Sequence, residues 1–106
     1  MLNQVILVGR LTKDPTHIEP NRNVSTITLA IPRSYKNTEG EYETDFIDCE
    51  LWNAIAENTC TYCKKGDLIG VKGRIESYIV EQNDNRYYKT KVVAEKVTFL
   101  SSKSND

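Results

Sequence analysis

Alternating apolar and polar residues are clearest in residues 44–52, and this pattern predicts a strand. Successive side chains of a strand point to opposite faces of its sheet, so Ile47, Cys49 and Leu51 share one face, which we expect to pack on a core. The other face carries two aromatic and two acidic residues: Phe46, Asp48, Glu50 and Trp52. Large rings on such a face indicate that something covers them, either another part of the same chain or a binding partner.

Four more segments have the composition of strands, and their alternation predicts which side faces the core. They comprise residues 3–11, 24–33, 68–80 and 87–100. The first is apolar on both faces, which predicts cover by the barrel, another strand or a second subunit. In the second, Ile27, Leu29 and Ile31 point inward. In residues 68–80, the predicted core side carries Ile69, Val71, Ile75 and Ile79. The opposite side carries Lys72, Arg74, Glu76, Tyr78 and Val80.

Residues 54–65 have apolar positions at a spacing of three to four, which predicts a short amphipathic helix that is ended by Gly66. The stripe that should close one end of the core consists of Ile55, Ala56, Thr59, Cys60 and Cys63. Segments rich in turn residues separate the elements: residues 16–23, 34–43 and 81–86. The second of these is long for a hairpin and is predicted to be a flexible loop that holds Tyr35 and Tyr42.

The predicted order of elements is strand, strand, strand, helix, strand, strand. Five short strands with one short helix between the third and fourth predict an all-β fold, a five-stranded Greek-key barrel of the oligonucleotide/oligosaccharide-binding (OB) type. A ferredoxin-like fold would require a second helix, for which no segment has the pattern. We expect one domain over residues 1–100 and a frayed polar end over residues 101–106.

Composition and charge are those of a soluble globular protein, with 106 residues, 27% charged residues and a net charge of −1. A near-neutral total does not exclude a nucleic-acid partner, because counterion release depends on which basic residues face the phosphates. The apolar run at residues 5–8 is too short for a signal peptide or a membrane span, so we predict a cytoplasmic protein without a membrane partner. Its three cysteines are then predicted to be reduced thiols.

The spacing of Cys60 and Cys63 raises the possibility of zinc or redox chemistry. Structural zinc needs four ligands, and the remaining candidates are Cys49 and His17. A redox dithiol normally lies at the start of a helix after a strand, whereas this pair lies late in the predicted helix. We therefore interpret both cysteines as small residues of the helix face. The chain also lacks a Gly-rich phosphate loop, a nucleophile elbow and a paired-carboxylate arrangement, so we expect no enzyme, no metal and no cofactor.

Longer stretches of the sequence resemble the bacterial single-stranded DNA-binding proteins. The matching segments are MLNQVILVGRLTKDP, ITLAIPRSY, DFIDCELWNAIAEN, KKGDLIGVKGRI and KVVAEKVTFL, in the family's order and at its spacing. The resemblance implies an OB-fold domain that binds and protects single-stranded DNA, without sequence preference, in replication, recombination and repair. It further implies a homotetramer in the bacterial cytoplasm, associated with the nucleoid. The family's long linker and acidic tip are missing, so recruitment of replication and repair partners through a tail is not expected.

By this resemblance, the base-stacking aromatics of the family fall on Tyr35, Phe46 and Trp52. A fourth falls at or near Val80, where this chain has no ring. Tyr78 lies two residues earlier on the same face of its strand and is the candidate to replace it.

Basic residues alternate with these rings along the chain, as a groove for single strands requires. The candidate phosphate contacts are Arg33, Lys36, Lys72, Arg74, Arg86 and Lys89. Such side chains on strands are usually only solvated, and it is the resemblance that selects this set. Asp48 and Glu50 are unexpected on a DNA-facing surface because their carboxylates would repel phosphate. Lys72 and Arg74 are predicted to pair with them.

An alternative function is a binding module of the same fold that contacts protein, such as a replication-restart accessory subunit. Its exposed rings would be anchors of a protein interface. Such a module would bind no DNA strand and show little dependence on salt.

Overall fold

A computed structural model describes residues 1–15 and 22–103, which form a closed barrel of five strands with one helix. The elements are β1 (Val5–Leu11), β2 (Val24–Lys36), β3 (Tyr42–Trp52), α1 (Asn53–Tyr62), β4 (Leu68–Gln82) and β5 (Asn85–Ser101). The predicted fold class and the predicted place of the helix, between the third and fourth strands, are both confirmed. Within the described residues, no helix is long and apolar enough to cross a membrane.

The barrel closes in the order β1, β2, β3, β5, β4. Long antiparallel ladders join β2 to β3 and β4 to β5. The seam between β3 and β5 is parallel and short, because it pairs only Cys49 with Val92 and Glu50 with Val93. The β2–β3 and β4–β5 hairpins are therefore joined near the C-terminal end of β3, and they can separate on either side of this seam.

The core forms where the period-two pattern places it. Ile27 and Leu29 of β2, Leu51 of β3, and Ile69 and Val71 of β4 are almost completely buried. Burial of each such side chain stabilises the fold by about 1.5–3 kcal/mol. The helix α1 packs on this cluster with two buried residues, Ala56 and Thr59, so its predicted apolar face is confirmed.

The prediction of a flexible loop over residues 34–43 is wrong. Strand β2 runs on to Lys36 and β3 begins at Tyr42, so Tyr35 and Tyr42 both lie in strands. Pro32 has no N–H for the ladder, and the register shifts between Pro32 and Lys36 before pairing resumes. The turn is closed by Asn37, whose side-chain Oδ1 accepts the backbone N–H groups of residues 39 and 41.

The helix is shorter than predicted, because it ends at Tyr62 and Gly66 is not its cap. Cys63 is already extended, although its N–H still donates to the carbonyl of Thr59. The buried carboxylate of Asp67 accepts the N–H of Lys64 and shapes the turn into β4. Gly66, at φ +91°, lies within this turn rather than at the helix end.

Residues 81–86 are predicted as a loop, yet only two of them form the turn. Strand β4 continues to Gln82 and β5 starts at Asn85. Asn83 and Asp84 both have positive φ, at 53° and 64°, as a tight type I′ hairpin turn requires. This turn fixes the register of the β4–β5 hairpin as far as the pair Gly73 and Ala94, beyond which the register shifts. The predicted turn over residues 16–23 lies mostly outside the described residues.

Two residues predicted on the core side of β4 are not part of the core. Ile75 and Ile79 are 44% and 45% exposed. They face Val92 and Tyr88 across the hairpin, in the part of β4 and β5 that projects past the barrel. The alternation predicts the correct side of the strand but not where the barrel ends.

We predict that Gly73→Ala destabilises the protein. The pairing of Lys72 with Lys96 and of Gly73 with Ala94 leaves Glu95 as an extra residue in β5. At this bulge, a Cβ on Gly73 would overlap the backbone carbonyl of Val93. We expect a loss of about 1–3 kcal/mol in the free energy of unfolding, measured by urea denaturation. Gly70→Ala is the control, because its Cβ would lie 3.8 Å from the nearest atom, and an equal loss in both variants would contradict this explanation.

Candidate functional site

Two adjoining clefts lie where β3 and β5 separate. The first has a volume of about 380 Å³ and is lined by Phe46, Ile47, Asp48, Ile75, Tyr78, Thr90, Lys91 and Val92. The second has a volume of about 240 Å³ and is lined by Glu50, Trp52, Arg74, Glu76, Lys91 and Val93. Because Lys91 lines both, we describe the two clefts together as the aromatic groove.

Three of the predicted stacking rings reach this groove from two strands. Phe46 and Trp52 lie on the same face of β3, as the alternation predicts, and Tyr78 comes from β4. Phe46 is 65% exposed and Tyr78 is 40% exposed. The hypothesis that another part of the chain covers these rings is therefore wrong for Phe46 within the described residues.

Trp52 is half-buried, and two side chains contact its indole, one at the ring N–H and one over the face of the ring. Its indole Nε1 donates to Glu50 Oε1 at 2.6 Å. The guanidinium carbon of Arg22 lies 5.3 Å from the ring centroid, within the range of a cation–π contact. The indole thus has a fixed orientation before any ligand arrives.

The acidic residues of the β3 face are paired with groups other than those predicted. Asp48 accepts a hydrogen bond from Thr28 Oγ1 at 2.6 Å. The two carboxylate oxygens of Glu50 lie 3.3 and 3.4 Å from Lys91 Nζ. The prediction that Lys72 and Arg74 pair with Asp48 and Glu50 is wrong, because the parallel seam brings β5 rather than β4 directly beside Glu50.

Arg74 reaches the groove but already has carboxylate partners. It donates to Glu76 and to Glu95, and the hydrogen bond that it donates to Glu76 is the main reason that the pKa of Arg74 is raised. A phosphate that binds Arg74 would have to compete with these two carboxylates.

Arg33 is paired in the same way on the opposite side of the β2–β3 hairpin. Its guanidinium donates to both oxygens of Asp45, at 2.8–3.2 Å, and to Glu43 at 2.9 Å. The hydrogen bond with Asp45 raises the pKa of Arg33 and lowers that of Asp45. Asp45 precedes Phe46 in β3, so its side chain points to the other face. Arg33 is therefore not brought together with the rings of the aromatic groove.

The other predicted contacts of the first hairpin lie near its tip. Tyr35 is exposed on β2, and Lys36 Nζ is 5.7 Å from the ring centroid of Tyr42. Neither Tyr35 nor Lys36 lines the groove.

The basic residues predicted on β4 and β5 are spread along the second hairpin. Lys72 lies opposite Ile6 of β1. Lys89 lies opposite Tyr78, on the same face as that ring. Arg86 lies opposite Glu81 on the reverse face, with its Nε 3.7 Å from the carboxylate. None of these three basic residues lines the groove.

Sequence reasoning missed two cations that contact the rings. Lys91 Nζ lies 5.7 Å from the ring centroid of Tyr78 as well as beside Glu50, and Arg22 lies over Trp52. The period-two pattern of residues 87–100 places Lys91 on the face of Lys89, which is the one signal for it in the sequence. Arg22 lies within the predicted turn segment of residues 16–23 and has no such signal.

The cysteines are all free thiols. Cys49 is buried, whereas Cys60 and Cys63 are half-buried, and burial raises the pKa of Cys63. Among the described residues, no group of three or more His, Cys, Asp or Glu side chains is placed to hold a metal ion. His17, the remaining ligand candidate, lies outside the described residues.

A family model described as "Single-strand binding protein family" matches residues 2–100 of the chain. The chain belongs to this family. It is 50% identical to Single-stranded DNA-binding protein 3 of Listeria innocua over 99% of this chain and 68% of that relative. It is 46% identical to Single-stranded DNA-binding protein B of Bacillus subtilis over 100% of this chain and 96% of that relative.

A solved structure extends the comparison to the fold. The structure titled "Plasmodium falciparum SSB complex with ssDNA" matches with a TM-score of 0.78, covering 95% of this chain and 96% of that one at 22% identity. Membership of the single-strand binding protein family confirms the resemblance inferred from the sequence. It also agrees with the expectation that the chain is not an enzyme, and it does not favour the alternative of a protein-binding module.

We predict that Cys49 resists thiol reagents in the folded protein at pH 8. Burial, with a smaller effect of Asp48, raises the pKa of Cys49 to about 11. Because this pKa lies above that of the unfolded thiol, the protonated form stabilises the fold below about pH 9, and this contribution is lost as the pH rises toward 11. In a Cys60→Ser/Cys63→Ser double variant, Cys49 is the remaining thiol. It should react with a disulfide reagent only after the protein has been unfolded in urea. Rapid labelling of the folded variant at pH 8 would contradict the prediction.

Proposed function

We propose that the chain binds single-stranded DNA without reading its sequence, by stacking bases in the aromatic groove. The observation that carries this proposal is the exposure of Phe46 and Tyr78 along one cleft, with Lys91 between that cleft and Trp52. Every base has a π face, so rings hold a strand without distinguishing its sequence, at about 1–3 kcal/mol per stacked base. The names of the Listeria and Bacillus relatives support the same ligand.

The phosphates of such a strand would meet cations at intervals along the groove. Lys91 belongs to both clefts and Arg74 lines the second. Lys89 lies beside Tyr78 across the hairpin and is the next cation along the same face. This alternation of rings and cations is the arrangement that a sequence-tolerant single-strand site requires.

The remaining predicted contacts would extend the path of the strand beyond the groove. Tyr35, Lys36 and Arg33 lie along the β2–β3 hairpin, and Tyr35 is exposed. Lys72 lies in the part of β4 that pairs with β1, and Arg86 lies near the turn of the β4–β5 hairpin. Arg33 and Arg86 are ion-paired, so we expect their contribution to be smaller than that of Lys36.

The biological role that follows is to coat and protect single-stranded DNA during replication, recombination and repair. We place this activity in the bacterial cytoplasm, at the nucleoid, because the relatives named above from Listeria and Bacillus are bacterial.

We further propose that the chain acts as a homotetramer that assembles through β1. Within the described residues, β1 pairs with β4 over Val5–Arg10 but with β2 only at Arg10 and Leu11, so much of one edge is open. Its outer face presents Ile6, which is 70% exposed, and Val8. An apolar strand with an open edge favours pairing with a second copy.

We predict that Phe46→Ala and Tyr78→Ala each weaken binding to oligo(dT) by about 1–3 kcal/mol, the value of one stacked base. Quenching of Trp52 fluorescence during titration is the measurement, because a base stacked on the indole provides a non-radiative route. The quenching should reverse at high salt as counterions return to the phosphates.

Tyr62→Ala is the matched control, because this exposed ring lies at the end of α1 and does not line the groove. Equal losses in Tyr62→Ala and in the two groove variants would contradict the proposed site. If the unmodified protein bound no oligonucleotide at any salt concentration, the alternative of a protein-binding module would be favoured.

We predict that Ile6→Glu dissociates the tetramer. A Glu at position 6 would lie opposite Lys72, and burying this charge, alone or with Lys72, in the proposed interface costs desolvation free energy, whereas Asn58→Glu on the exposed side of α1 does not. Light scattering should report four times the chain mass of 12.1 kDa for the unmodified protein and for Asn58→Glu, and a smaller mass for Ile6→Glu. A monomer before any substitution would rule out the assembly.

A further inference from the structure

Glu50 occupies the junction of the aromatic groove. Its side chain is 19% exposed, the lowest value among the carboxylates that form ion pairs within residues 1–15 and 22–103. Both of its oxygens face Lys91 Nζ, at 3.3 and 3.4 Å, and Oε1 also accepts the indole N–H of Trp52 at 2.6 Å. One carboxylate therefore joins the cation shared by the two clefts to one of the proposed stacking rings.

A carboxylate and a phosphate make the same kind of bond to an ammonium group, since both present negatively charged oxygen acceptors. Glu50 consequently takes the place on Lys91 that a phosphate of the strand would take. The pair is partly shielded from solvent, so salt ions screen it less than they screen an exposed pair. In the free protein, Lys91 is neutralised by the chain itself rather than by ions from solution.

We propose that Glu50 is an internal counter-ion of the aromatic groove, which must release Lys91 before a DNA phosphate can bind there. This inference rests on the proposed function and assigns Glu50 as a positioning residue with two opposing effects. It weakens the phosphate contact by occupying Lys91, and it favours stacking by holding the indole of Trp52. The same residue thereby limits the affinity for DNA and the steepness of its dependence on salt.

Two substitutions separate the effects. Glu50→Gln removes the charge but keeps an amide oxygen that can accept the Trp52 N–H, whereas Glu50→Ala removes both. Glu57→Gln is the matched control, because it makes the same change in net charge at an exposed position of α1 away from the groove. Thermal melting followed by circular dichroism verifies that each variant is folded.

We expect Glu50→Gln to bind oligo(dT) about three- to tenfold more tightly than the unmodified protein at low salt. The slope of log K against log salt concentration should steepen by about 0.7, the value of one additional phosphate contact on a single strand. Glu57→Gln should leave the slope unchanged. Glu50→Ala should show the same steeper slope with a smaller gain in affinity, because its Trp52 has lost the hydrogen bond.

Lys91→Gln completes the test as a double-mutant cycle. In the unmodified background it should change the slope little, and in the Glu50→Gln background it should abolish the added 0.7. Equal slopes for Glu50→Gln and Glu57→Gln would overturn the proposal, as would a Glu50→Gln variant that binds more weakly with an unchanged slope. Either result leaves the proposed function intact if the unmodified protein binds the oligonucleotide, whereas absence of binding by the unmodified protein would refute that function itself.

Discussion

The short parallel seam between β3 and β5 is the constraint on which the rest of the site depends. It joins two long hairpins through Cys49, Glu50, Val92 and Val93 alone. Longer pairing would close the space between the hairpins, and no pairing would leave the barrel open. Because the seam is so short, the strands separate directly beyond it, and the groove lies between them with buried apolar residues beneath and rings along its rim. The architecture of the barrel and the presence of the groove thus have one physical cause.

Ion pairs within the chain explain how a nearly neutral protein can hold cations at the site proposed for a polyanion. Lys91 lies between a carboxylate and the ring of Tyr78, and Arg74 lies between two further carboxylates. Both cations are paired within the chain, so the net charge of −1 gives no indication that basic residues line the groove. The more exposed pairs of Arg74 contribute little to stability, about 0–1 kcal/mol each. Their larger effect is to keep the long side chains ordered and to set how much a phosphate gains by replacing a carboxylate.

The period-two pattern was sufficient to predict the strands, the buried face of β3 and the shared face of Phe46 and Trp52, because alternation is a local property of extended chain. It could not predict pairing between distant segments. Lys91 meets Glu50 across 41 residues of sequence, a contact that only the parallel seam creates. The extent of the hairpins was also beyond local reasoning, since residues 34–43 read as a polar loop until the partner strand is known. In the sequence, turn residues such as Asn83 indicate a reversal of the chain but not which two residues form the turn, and the register depends on that choice.

The register of the β4–β5 hairpin bears on the position near Val80, where the resemblance to the family implies a ring and this chain has none. The two-residue turn at Asn83 and Asp84 pairs Val80 with Tyr87, so the two side chains lie on the same face of the hairpin. Tyr78 lies on that face one step closer to the groove, and Tyr87 is about half exposed. The ring that β4 lacks at Val80 is therefore present on β5, at the directly paired residue Tyr87. Substitution position by position along the sequence does not find such a replacement, because the neighbour is defined by cross-strand pairing rather than by distance along the chain. The aromatic surface of the hairpin is thus a property of its register, because Tyr78 of β4 and Tyr87 of β5 are brought to one face although position 80 has no ring.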